Sequence, residues 1–332
     1  MATYPDLSGA VTDALRAPSV HNTQPWKWRI RPDAVDLHAD EDRHLDVTDP
    51  DQRDLILSCG AALHHLQVAL AARGLAVEVR RHPDPEDRSH LATVIVRSAG
   101  AGEPDAVSAS LFPGIATRRT DRRRMSRRQV PHDHVESLQE HVKIAGAVLV
   151  PVTDPHIRGR LVMALTDATG QQRQEPGYAA ELRMWTHRLP GSHDGVPAIN
   201  VPPPPIGAAR ATGLRPFGQA ALAQPSLPPG RSPDDDAAQL LVLATLGDDV
   251  LDRLRAGEAT SAVLLAATRM GLATTPLSQA LELDTSRQRM QTDVLGIPEH
   301  PQLVIRVGWP AAGAAELPVT PRRELRSVLL PD

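Results

Sequence analysis

Two stretches, CGAALHHLQVALAARGLA (59–76) and AGEATSAVLLAATRMGLA (256–273), decide the reading of the fold. Aligned, they place Gly60 on Gly257 and Gly74 on Gly271, and both close in Gly-Leu-Ala. Each follows a strand candidate (35–40, 239–245) and precedes another (91–97, 302–308). Amphipathic helices that end in Gly often look alike, so the two helices alone do not establish a duplication. The shared order of flanking strands favours one. The first copy lies inside the clearest helical pattern of the chain, 49–75, with an Asp-rich start, apolar Leu63, Leu66 and Leu70, and Gly74 after the last turn.

Working outward, 7–17 reads as a short helix stopped before Pro18, since the residue before a proline disfavours helical geometry. WKWRIR, AVDLHAD, AVEVRR and LATVIVRS read as strands. The small, Gly/Pro-dotted stretch 99–117 reads as a linker. A helix is expected over 131–144, a strand over 147–154 and one long helix from Pro155 to about His187. Residues 189–235 are irregular, and a stretch of that length implies a lid, a binding loop or disorder. A strand (238–245), a helix to Met270, the loop GLATTPLSQ (271–279), a helix near 285–295 and a strand (302–308) complete the order.

The 332 residues carry 40 acidic and 36 basic side chains, a net charge of −4. That balance, with aromatics at 2%, argues against a nucleic-acid partner. A chain of this length buries roughly three quarters of its unfolded surface, so its core needs no metal or disulfide staples. The single cysteine, Cys59, excludes a disulfide framework and a Cys-rich metal centre, reads as a buried small residue and fits a reducing compartment. No run of about 18 apolar residues is present, so no membrane span is expected. MATYPDLSGA lacks the basic-then-apolar start of a signal peptide, so the expected location is cytoplasmic. Only Lys27 and Lys143 are lysines, so almost every basic residue is arginine and position must carry any argument about one of them.

Four segments could carry chemistry. RAPSVHNTQPWKW (16–28) is a loop dense in hydrogen-bonding side chains and closed by Pro25 and Trp26; it also fits a capped helix end over a packed Trp. RRTDRRRMSRR (118–128) offers forked donors for an anion, or a solvated basic face. GLATTPLSQ lets backbone approach a flat ligand, or is only a turn. Arg322 and Arg323 of PRREL could return to the same anion. The histidines, including His64–His65 and His132-Asp-His134, form no metal signature, and no paired-carboxylate or nucleophile motif stands out. Tyr178, Glu181 and Trp185 share a helical face and fit a core better than a cofactor wall.

In this order, PSxxNxQPW, RR[ST]xR, the Gly-Leu-x-x-x-Pro loop and the closing basic pair resemble the FMN-dependent nitroreductase superfamily. The length and segment order resemble its Acg-type branch, tandem proteins of actinobacteria. The resemblance implies an α+β, nitroreductase-like fold doubled within one chain: an N-terminal half over 1–112 and a C-terminal half over 113–332. The Pro-rich stretch 189–235 has no counterpart in ordinary nitroreductases and is expected to be a lid or loop. It implies an intramolecular pseudo-dimer with one FMN per chain, because PSVHNTQPW occurs only in the first half and the arginine, Pro-loop and PRR segments only in the second.

By the same resemblance, Pro18, Ser19, Val20 and Asn22 meet the isoalloxazine or ribityl portion. Arg118, Arg119, Thr120 and Arg122, with Arg322 or Arg323, hold the phosphate, and Pro276, Leu277 and Ser278 bring a backbone N–H to flavin N5 and O4. The implied activity is NAD(P)H-dependent hydride transfer to a small nitro or quinone-like acceptor, with no catalytic side chain required. The alternative is a non-catalytic protein that stores FMN beneath the lid. No GxGxxG motif follows a strand, so a separate nicotinamide domain is not expected.

Overall fold

The computed structural model describes residues 3–98, 100, 102–189, 191–203, 213–226 and 236–331. The first half runs α1 (Tyr4–Ala14), β1 (Trp26–Ile30), β2 (Ala34–Ala39), α2 (Arg53–Ala72), β3 (Val77–Arg81) and β4 (His90–Val96). Helix α3 (Ala106–Thr117) leads to the second half: α4 (His132–Ile144), β5 (Val148–Val152), α5 (Pro155–Gln172), α6 (Tyr178–Thr186), β6 (Gln239–Thr245), α7 (Val250–Arg269), β7 (Ala273–Leu277), α8 (Asp284–Arg289) and β8 (His300–Gly308). The strands form two antiparallel sheets, β1-β2-β4-β3 and β5-β6-β8-β7. Even the register irregularity repeats, at Leu37/His38 in β2 and at Leu243/Ala244 in β6. The halves differ between their first two strands. Residues 31–33 turn β1 into β2, whereas α5, α6 and the irregular stretch separate β5 from β6.

The repeated glycines are where the halves meet. A Cβ on Gly60 would lie 2.1 Å from the Leu254 carbonyl oxygen, and one on Gly257 would lie 2.1 Å from that of Leu57. Helices α2 and α7 therefore cross with their backbones in contact, a closeness only glycine permits. Beside the crossing the Ser261 hydroxyl lies 2.7 Å from His64 Nδ1 and 2.8 Å from His65 Nδ1, while Arg81 pairs with buried Glu258 (2.7 Å). Helix α2 is long and apolar enough to cross a membrane by composition, but α1, α3, α7 and the first sheet enclose it. A helix apolar all round is what such a central position requires.

Three expectations need correction. The stretch read as a linker contains α3, capped by the Asp105 carboxylate, which accepts from the Val107 and Ser108 amides (2.9 and 3.1 Å). Its small residues serve close packing, since a Cβ on Gly114 would meet the Leu265 carbonyl oxygen at 3.2 Å. The 112/113 boundary falls inside this helix. GLATTPLSQ is largely strand β7, with Pro276 opposite Ile305, and as the outermost strand of its sheet it tolerates the missing N–H. The single helix expected from 155 to 187 is two, α5 and α6, separated at Gly177, where φ is +90°.

Each half also receives a strand-like segment from elsewhere. The chain's end lies parallel to β1, with Trp28 N–H donating to Val328 O and Leu330 N–H to Trp28 O (2.8 Å each). Residues around Thr120 run beside β7, where Asp121 N–H donates to Thr274 O (2.9 Å).

A second tie links the halves. Arg53 donates from one nitrogen to both Asp248 oxygens (2.6 Å each) and from another to Gln302 Oε1 (2.7 Å). Partial burial raises the Asp248 pKa, but hydrogen bonds from Arg53 and Gln302 and the charges of Arg53 and Arg253 outweigh it and hold it down to about 2. A carboxylate depressed in the folded state stabilises above its ordinary value of 3.8, and that stability is lost as pH falls toward 2. Asp248→Asn is therefore expected to lower the melting temperature at pH 7 but hardly at pH 2. Thermal unfolding across pH measures the difference, which is at most about 2 kcal/mol.

Candidate functional site between the two halves

Along the α2–α7 crossing runs a cleft with two connected chambers. The inner one, about 800 Å³ including its mouth, has Asp54, Leu57, Ser58 and Ala61 of α2 and Thr260 of α7 as its floor. The outer one opens toward the arginine run and the C-terminal tail. Every site residue expected from the sequence lines one chamber or the other. Pro18, Ser19, Thr120 and Arg122 line both; Val20, Pro276, Leu277 and Ser278 line the inner; Asn22, Arg118, Arg119, Arg322 and Arg323 line the outer.

The PSVHNTQPW loop is held in strained backbone. His21, Asn22 and Gln24 all take positive φ, 44°, 55° and 52°, a conformation uncommon for non-glycine residues and concentrated at functional sites. The strain is stabilised by a dense set of bonds. Ser19 Oγ accepts from Gln24 N–H (3.0 Å), and Ser58 Oγ accepts from Val20 N–H (3.1 Å). Asn22 Nδ2 donates to Gly195 O (2.9 Å) and Pro321 O (3.1 Å), while its Oδ1 accepts from Arg322 (3.0 Å). Gln24 ties to His193 O and to the Arg323 N–H. The Asn22 amide thus joins three distant segments at the cleft's edge.

The arginine run divides by partner. Arg123 forks onto Asp121 (2.9 Å to each oxygen), and Arg124 donates to Pro225 O (2.6 Å), so both are structural. Arg323 binds Asp40 (3.0 Å) and two carbonyls. Arg118, Arg119 and Arg322 reach only carbonyls and the Asn22 amide oxygen, and the Nε of each is buried without a hydrogen-bond partner among the described residues. Burial, then the charge of Arg119, holds Arg118 down to about 10; burial, then Arg118, Arg119 and Arg16, hold Arg322 down to about 9. Arg122 is lowered to about 10 by burial and Arg215, and lies 4.9 Å over the Phe217 ring. Convergent arginines with no carboxylate hydrogen-bonded to them among the described residues can hold an anion.

Sequence reading missed several inner-chamber residues. Leu214, Arg215 and Phe217 of the irregular stretch line it, and Phe217 meets His21 edge-on at 5.8 Å. Burial, then Arg215 and Arg122, push the His21 pKa well down, so the ring is neutral. Arg215 pairs with buried Glu282 and donates to the Tyr178 hydroxyl (2.9 Å). Tyr178, Glu181 and Trp185 do not line the cleft. Glu181 accepts from the Val47 and Thr48 amides, and Trp185 lies between Arg43 and Arg188. Cys59 is buried, donates to Pro25 O (3.0 Å) and has its thiol pKa pushed up by burial and Asp40. Among the described residues, Asp36, His38 and His90 bring ligand-type atoms within 4.8 Å on the outer face of the first sheet. Asp36 already accepts from Arg31 and Thr93 (2.7 Å each) and the two rings stack at 4.5 Å, so no metal role is assigned.

Fold and site together define an α+β protein of two like halves with an arginine-lined cleft between them. The model of the Nitroreductase family matches residues 210–309. Over 329 residues the chain is 43% identical to "Putative NAD(P)H nitroreductase Rv3131" of Mycobacterium tuberculosis, covering 98% of this chain and 92% of that protein. It is 36% identical over 335 residues to "Putative NAD(P)H nitroreductase acg" of the same species, covering 99% and 96%. The chain belongs to the nitroreductase family, and its fold is nitroreductase-like. Among solved structures, the FMN-dependent nitroreductase NfnB of Mycobacterium smegmatis, in complex with NADPH, aligns with a TM-score of 0.40 at 17% identity, over 67% of this chain and 96% of that one.

Proposed function

We propose that the chain is an FMN-dependent oxidoreductase that takes electrons from NAD(P)H and passes them to a small quinone-like or nitro acceptor. The observation that carries this reading is the end of the cleft where Arg118, Arg119 and Arg322 converge, each with a buried Nε donor that has no hydrogen-bond partner among the described residues. A phosphate monoester fits this donor set, and the inner chamber, walled by Pro276–Ser278 and floored by Leu57, Ser58 and Ala61, suits a flat ring system. A bound flavin supplies two-electron redox chemistry, and the protein supplies position and electrostatics. In this reading Arg118, Arg119, Arg122 and Arg322 neutralise the phosphate end. Ser19 and Ser58 stiffen the loop, and the α2 floor excludes water from one face. The two halves act as a fused pseudo-dimer, the first giving PSVHNTQPW and the second the arginines.

A second reading, FMN storage, is favoured by one feature. Leu214, Arg215 and Phe217 line the inner chamber, and residues 193–195 are tied to Asn22 and Gln24, so part of the irregular stretch borders the site, as a storage lid would require. Residues 190, 204–212 and 227–235 of that stretch lie outside the described residues. An anaerobic titration of the FMN-loaded protein separates the two readings. Bleaching of the flavin band by NADPH or NADH is the expected result; bleaching by dithionite alone would replace the oxidoreductase reading with storage.

A further inference from the structure

We propose that Asp54, on the floor of the inner chamber, holds a proton at neutral pH and donates it to a quinone-type acceptor that shares the chamber with the flavin ring. The proposal rests on the oxidoreductase reading above and adds a catalytic acid to a site whose sequence shows no acid–base motif.

Three carboxyls, Asp49, Asp54 and Glu282, meet at this floor, and among the described residues Arg215 is the arginine bound to any of them, through Glu282. Asp49 accepts from the Asp54 and Leu55 amides (3.0 and 2.8 Å). Glu282 accepts from Arg215, from Gln172 and from Ser278 Oγ (2.6 Å). Asp54 has no comparable support. It is 6% exposed, and its Oδ2 is buried without a hydrogen-bond partner among the described residues. A buried carboxylate oxygen lacking a donor costs several kcal/mol, and a single proton removes that cost. The donor inventory therefore assigns the proton to Asp54. The facing groups agree: burial, then the charges of Asp49 and Glu282, raise its pKa well above the ordinary range, against opposing contributions from the Ser278 hydroxyl and Arg215.

Asp54 is also placed to use the proton. It lines the inner chamber beside Leu57 and Ser58 and shares that wall with Ser278. Two-electron reduction of a quinone needs a hydride and a proton. The hydride, which a bound flavin would supply from NAD(P)H, adds to one quinone oxygen, and the electron pair shifts through the ring to the other oxygen. The Asp54 O–H bond breaks as the new O–H bond forms there, giving a hydroquinone and a carboxylate that water reprotonates. A one-electron acceptor such as ferricyanide needs no proton.

The test uses the full-length, FMN-loaded protein and two readouts. Infrared spectroscopy at pH 7 should show a protonated carboxyl C=O band that Asp54→Asn removes. In stopped-flow reoxidation, the rate with benzoquinone relative to ferricyanide should fall about a hundredfold in Asp54→Asn, with partial recovery in Asp54→Glu. A wild-type protein without that infrared band overturns the proposal, even if the Asn variant does not fold. So does an unchanged benzoquinone-to-ferricyanide ratio. Failure of the protein to take up FMN would instead overturn the oxidoreductase reading, and the infrared band would still decide the state of Asp54.

Discussion

The double variant Arg118→Ala/Arg322→Ala is expected to purify colourless while its apo form stays at least as stable as the parent. At the outer end of the cleft Arg118 is buried and Arg322 partly buried, and neither has a carboxylate partner among the described residues. Their lowered pKa values, about 10 and about 9, say that the folded chain alone disfavours these charges. For a base lowered on folding, the destabilisation is present below the folded value and is relieved as pH rises toward the ordinary 12.5. At pH 7 it is fully present, so removing the charges removes a burden from the apo protein.

A bound phosphate reverses the sign, because each lost charge-assisted interaction is worth about 1.5–3 kcal/mol. The pair should weaken FMN binding by about 10²–10⁴-fold. Fluorescence titration gives the affinity and thermal unfolding the apo stability. Arg123→Ala should do the opposite, since it leaves Asp121 buried and unpaired and lowers stability first. A double variant that keeps its flavin would move the phosphate site elsewhere.

What could be read from the sequence was what local backbone demands. The glycine repeat was visible because a backbone-to-backbone crossing requires glycine on both helices, and the PSVHNTQPW loop because its density of Ser, Asn and Gln is what holds left-handed backbone in place. The arginine run was visible as charge, but its division was not. Whether an Arg faces Asp121, a carbonyl or the open cleft depends on segments far along the chain. Asp54, Arg215, Phe217 and Glu282 went unread for the same reason, as each becomes significant only beside partners from other elements. Residues 99–117 misled because small residues mark both flexible chain and tight packing, and α3 is the second case.

Gly257→Ala is expected to be, with Gly60→Ala, among the most destabilising single-methyl changes in the described residues. The added Cβ would lie 2.1 Å from the Leu57 carbonyl oxygen and 2.7 Å from Gly60 Cα, both backbone atoms that no rotamer change can move aside. Helices α2 and α7 must separate or tilt, and their crossing lies between the two hydrophobic clusters that each half builds. Overpacking a core typically costs 1–3 kcal/mol, and a backbone-limited contact belongs at the upper end or beyond, about 3 kcal/mol or more. That corresponds to a fall of about 5 °C or more in melting temperature. The cleft should suffer with the crossing, because Ser58 and Ala61 on one helix and Thr260 on the other are its floor; FMN affinity should drop although no residue in contact with the ligand has changed. Gly159→Ala supplies the contrast. It lies exposed on α5 with nothing near its Cβ, and should gain about 0.5–1 kcal/mol from the lower entropy of the unfolded chain. If Gly257→Ala melts with the parent and holds FMN as tightly, the repeat would be a relic of duplication rather than the contact that sets the spacing of the two halves and the width of the cleft between them.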